Sequence, residues 1–170
     1  NNREEIVHFH GKSIPDFMEI KQKLKETCKT IIEENAKRAS DILETLEKNG
    51  VDLKSFSRGT FPNHITGISE KNFNPLNKRY HEFEDIAINK TAKDRAIIEN
   101  LIPQMLSQLQ IIYEQFAQHD FYKAFLKNIT PLSLLNTLSN KLADIQKEQN
   151  VLSIAEFNAI IHKEIQKQPA

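Results

Sequence analysis

The chain has 170 residues, 39% apolar and 27% charged, with 23 Lys and Arg balanced by 23 Asp and Glu. That length favours one domain, and zero formal net charge denies it the global positive field of a free-standing DNA-binding protein. A single cysteine, Cys28, excludes an intrachain disulfide and a thiolate zinc site, and no apolar run of about 18 residues marks a membrane span.

Read along the chain, the pattern is helical throughout, and an all-α fold is expected, with two long antiparallel helices and several shorter ones. The chain opens on Asn1-Asn2-Arg3 and stops at Gln168-Pro169-Ala170 directly after a helical run, as an excised piece would. His8-Phe9-His10 places two imidazoles close together, but no third ligand follows at a zinc spacing. Ser13 can cap a first helix over Pro15–Lys48. Phe17, Ile20, Leu24, Cys28, Ile31, Ala36 or Ala39, Ile42, Leu43 and Leu46 form its stripe, interrupted by Asn35 and Arg38. Gly50 supplies the left-handed residue that ends it. Cys28, on the stripe, reads as a structural thiol.

Between 51 and 91 the periodicity breaks into short helices and loop, punctuated by Asn, Gly and Pro. Residues 51–81 hold five Lys and Arg (Lys54, Arg58, Lys71, Lys78, Arg79) against two acids (Asp52, Glu70). Arg58 beside Gly59, followed by Thr60, Asn63 and His64, offers a guanidinium, a hydroxyl, an amide and an imidazole to phosphate oxygens. A solvated loop and a protein-docking surface are the competing readings of this segment.

A second long helix is expected from Ala92 to Gln118, kinked at Pro103, and a short one capped by Asp120. His119 next to Asp120 reads as a helix-end group. Thr130-Pro131 reads as a cap followed by a first-turn proline, starting a helix with Leu132, Leu135, Leu138, Leu142 and Ile145 on one face. Ser153-Ile154-Ala155-Glu156 is a capping box for a last helix whose buried face would be Phe157, Ile160, Ile161 and Ile165. The four glycines, at 11, 50, 59 and 67, form no phosphate loop, and a di-metal site would need paired Glu-x-x-His motifs, which do not occur.

Three stretches carry a family resemblance: Phe56-Ser57-Arg58-Gly59-Thr60-Phe61-Pro62, the run Phe125-Leu126-Lys127-Asn128-Ile129-Thr130-Pro131-Leu132, and Glu148-Gln149-Asn150-Val151-Leu152-Ser153-Ile154-Ala155-Glu156-Phe157. With these the chain resembles the inserted helical subdomain 1B of UvrD/Rep-like superfamily-1 DNA helicases, in particular exonuclease V beta-subunit (RecB/AddA-like) proteins of Bacteroidetes. The resemblance implies an ATP-dependent DNA helicase, with possible exonuclease activity, as the parent. It also implies that residues 151–170 return toward a motor domain. ATP and Mg would belong to the parent, with no cofactor, metal or catalytic residue in this chain. The implied partners are single-stranded or forked DNA and the remaining helicase domains, without a membrane. The resemblance points to DNA contact at Arg58, Thr60, Asn63 and His64; Lys71, Lys78 and Arg79 of the basic segment are further DNA-contact candidates, and a cytoplasmic location is expected. The alternative is a helical protein–protein interaction scaffold.

Overall fold

The computed structural model describes residues 9, 11–72, 79–149 and 154–167. The described residues include four α-helices: α1 (Ile14–Lys48), α2 (Thr60–Ser69), α3 (Arg95–Glu148) and α4 (Ile154–Lys167). Three 3₁₀ turns, at Leu53–Ser55, Ser57–Gly59 and Phe83–Asp85, fill the connections. The fold is all-α. Among the described residues the only β feature is an isolated antiparallel bridge between Phe56 and Ile88.

Each end of α1 has a local cause. The Ser13 hydroxyl and backbone amide both donate to Asp16 Oδ2, at 2.7 and 2.6 Å, which closes the first turn. At the other end Val51 N donates to Leu46 O at 3.0 Å, with Gly50 at φ +70. This six-to-one bond around a left-handed glycine satisfies carbonyls that the helix would otherwise leave open.

Residues 22–127 form one compact unit. Ala39, Ile42 and Leu46 of α1, Phe61, Ile65 and Ile68 of α2, and Ile98, Ile102, Met105, Leu109, Ile112 and Phe116 of α3 build its core. The stripe of α1 does not skip Asn35, which is fully buried and donates its amide to Ile112 O at 3.4 Å. Arg38 follows one turn later, with Nη1 bonded to Gln108 Oε1 at 3.3 Å. A polar layer thus crosses the α1–α3 seam where the sequence reads as an interruption.

Residues up to Lys21 and from Asn128 onward form the other unit. There Phe9 stacks on Phe17, Asn136 donates to Lys12 O at 2.8 Å, and Phe17, Ile129 and Ser133 are buried.

Three expectations need correction. The predicted breaks near Gln118 and Thr130-Pro131 do not occur, because α3 runs unbroken for 54 residues. Pro103 and Pro131 both lie on its exposed side, where water can satisfy the carbonyls that each proline leaves open four residues earlier. His119 and Asp120 therefore sit inside a helix, not at its end. Leu135, Leu138, Leu142 and Ile145 do share a face, but it is solvent-exposed, by 63% at Leu135. Phe157, Ile160 and Ile161 are exposed as well. Periodicity reports that a helix has an apolar face and says nothing about what covers it. Ser153 and the side chains of Glu156 and Ile165 lie outside the described residues, as do His8 and His10.

Candidate functional site

The segment between α1 and α3 is a folded cap on the core, built from backbone hydrogen bonds that the sequence does not advertise. Ser57 N donates to Ala87 O and Asn89 N to Ser55 O, both at 2.8 Å, around the Phe56–Ile88 bridge. Asp94 accepts from the Ser55 hydroxyl at 2.6 Å and from Asp52 N at 2.8 Å, and these bonds hold its carboxyl below its usual pKa. Phe56, Phe61 and Ile65 then insert into the core. The solvated-loop reading of this segment is set aside by that burial.

Arg58 and Gly59 occupy consecutive left-handed positions, φ +53 and +64, just before α2. The guanidinium is exposed, and beside it opens a hollow of about 480 Å³. Lys54, Arg58, Asn63, Thr66 and Asn89 give it polar walls over Phe56 and Pro62. No side chain caps the first turn of α2; the Thr60 amide donates instead to Ser57 O, and Pro62 has no N–H to leave open. The Thr60 hydroxyl donates to Ser57 O at 3.1 Å, which commits its proton.

His64 faces the core. Its Nε2 lies 2.8 Å from the Tyr113 hydroxyl, and its ring packs 5.2 Å from Tyr80. Burial pushes the Tyr113 phenol up to about 12, against the opposing pull of the Tyr80 and Arg79 backbone. A hydroxyl has one proton and two lone pairs, so Tyr113 can donate to His64 Nε2 or accept from it, according to the imidazole tautomer. Burial first, and the charge of Arg79 second, depress the His64 pKa. The imidazole is therefore a buried support.

Lys71 lies at the other end of α2. Lys71 N bonds Ile68 O at 3.0 Å and Asn72 N bonds Gly67 O at 2.8 Å, which places Lys71 at the left-handed C′ position with φ +62. Arg79 is exposed, and Lys78 lies outside the described residues. The basic excess is local: residues 51–94 hold seven Lys and Arg against six Asp and Glu, because Glu82, Glu84, Asp85 and Asp94 follow directly. Asp85 caps its own turn by accepting from His81 N and Glu82 N, at 2.7 and 2.9 Å.

The structure therefore joins Arg58 and Asn63 around one hollow, sets Lys71 apart beyond α2, and withdraws His64. It adds Lys54 and Asn89, which join the hollow only through the bridge-centred folding. Cys28 is half-buried, and burial pushes its thiol up against the pull of Lys123. Gly11, Gly50 and Gly59 stand at separate turns, and Gly67 is inside α2. Among the described residues no cluster of three metal-ligating side chains occurs, and no helix is long and apolar enough to cross a membrane.

No protein-family model matches the chain, and comparison with curated proteins and with solved structures returns no match.

Proposed function

We propose that this chain is an accessory DNA-contacting helical domain of an ATP-dependent DNA helicase or helicase–exonuclease of repair or recombination, with no catalysis of its own. The motor domains of that cytoplasmic parent would bind ATP and Mg²⁺ and drive movement on single-stranded or forked DNA. One observation carries the reading beyond family resemblance. Among the described residues only Arg58 and Lys71 take a positive φ without being glycine, and both are exposed cations. They flank α2, a helix of 10 residues. Strained backbone of this kind is concentrated at functional positions. Two fixed cations about 15–20 Å apart, by helix rise, match several phosphates of an extended strand. Asn63 and Lys54 would add contacts beside Arg58. His64 would act by holding the backbone at Arg79 and Tyr80.

Fluorescence anisotropy with single-stranded and forked DNA tests the reading. Binding should weaken steeply from low to moderate salt, and Arg58→Ala should lower affinity about fivefold and reduce the salt slope by roughly one. Unaltered affinity after charge reversal at both Arg58 and Lys71 would refute it.

A second reading, a protein-interaction scaffold, draws on the exposed Leu135, Leu138, Leu142 and Ile145. It predicts a complex with another protein that salt does not dissociate.

A further inference from the structure

At the C-terminal end of α2 lies a second hollow of about 230 Å³. Ile68 and Phe116 floor it, and Lys71, His119, Asp120 and Lys123 stand around it. His119 and Lys123 are four residues apart on α3, so they share a face. Lys71 arrives from the end of α2. Asp120 lies 3.5 Å from His119 Nδ1, so the one carboxylate is engaged by the imidazole. Among the described residues no ion pair holds Lys71 or Lys123. Two ammonium groups thus stand over an apolar floor, where reduced solvent screening strengthens attraction for an anion.

The backbone at Lys71 is the independent observation. A C′ residue at φ +62 is the position where glycine fits without strain, and an L side chain there costs about 1 kcal/mol. The helix dipole favours a cation near this end and offsets part of that cost, and an ammonium serving this rim would offset more.

We propose that Lys71, His119 and Lys123 form an oxyanion subsite that takes one phosphate group, carried by a nucleic-acid strand or free in solution. This deepens the DNA-contacting reading and rests on it for the strand-borne case. The lysines supply the charge, and His119, with Nδ1 turned to Asp120, donates to the anion from Nε2 only in its doubly protonated form. No bond is made or broken.

The test uses the 170-residue chain. Titration with inorganic phosphate, followed by amide NMR, should shift Lys71, His119 and Lys123 and saturate in the millimolar range. Lys71→Gly and Lys123→Gln should each weaken phosphate about fivefold, as loss of one charge-assisted contact predicts. Lys71→Gly should at the same time raise the unfolding midpoint, which separates a lost ligand contact from a damaged fold. A short labelled thymidine oligonucleotide forms the second arm, and both variants should weaken it too. Shifts elsewhere, or phosphate affinity unchanged in both variants, would overturn the subsite. Phosphate binding that follows the variants, with no oligonucleotide bound by the parent sequence, would keep the subsite and sink the DNA reading. Oligonucleotide binding indifferent to both variants, with no phosphate shifts at these residues, would do the reverse.

Discussion

The Tyr113 hydroxyl and His64 Nε2 meet at 2.8 Å beneath the segment that carries Arg79 and Tyr80, and this single bond ties α2, α3 and that segment together. Only the neutral imidazole can accept the phenolic proton there.

Stability should accordingly depend on pH through His64. Its folded pKa lies below the ordinary 6.5, so the unfolded chain binds the proton first as pH falls. The contribution is fully present above 6.5 and is lost as pH falls from there through the folded value. Thermal unfolding between pH 8 and pH 5 should show this decline, and His64→Gln, which keeps an acceptor for Tyr113, should flatten it. Equal slopes in both proteins would exclude His64 as the cause.

Tyr113→Phe should destabilise by about 1–3 kcal/mol, because it strips a hydrogen-bond partner from His64. Urea unfolding gives the number. Ultraviolet titration should independently find one of the three tyrosines ionising at about 12, and that component should vanish in the variant.

Gly50→Ala isolates backbone strain from packing. A Cβ at this position meets nothing within 4 Å, yet φ is +70. The expected loss is therefore conformational alone, about 1 kcal/mol, read as a shift in denaturation midpoint at constant m-value. A loss well above 2 kcal/mol would mean that the turn does more than end α1.

Core and exposed apolar residues should part company. Ile102, fully buried, should cost about 2–5 kcal/mol when cut to alanine. Leu138, 56% exposed, should change stability by no more than about 0.5 kcal/mol when made glutamine, and solubility should rise. A large loss at Leu138 would show that its face is covered in solution.

Much of the helical skeleton was legible. Ser13, Gly50 and the steps of Ile31, Ala39, Ile42 and Leu46 are local signals, and the helix ends and buried face follow from them. The ends of α3 were not, because Thr130-Pro131 has the local chemistry of a helix start and only its exposed setting lets the helix run through. Of the site, Arg58, Asn63 and Lys71 were readable as short polar and cationic groups near glycine and asparagine. Lys54, Asn89 and Lys123 carried no such mark, since backbone pairing and helix packing bring them in.

By itself the order of residues determined that this protein is helical, where its first long helix begins and stops, and which side chains can be apolar neighbours, since those depend on contacts a few residues apart. Only the tertiary structure decided that His64 meets Tyr113, that Asn35 belongs in the seam, and that the late leucines face water. Those outcomes turn on groups distant in sequence, whose desolvation and hydrogen-bond partners exist only once the helices have packed.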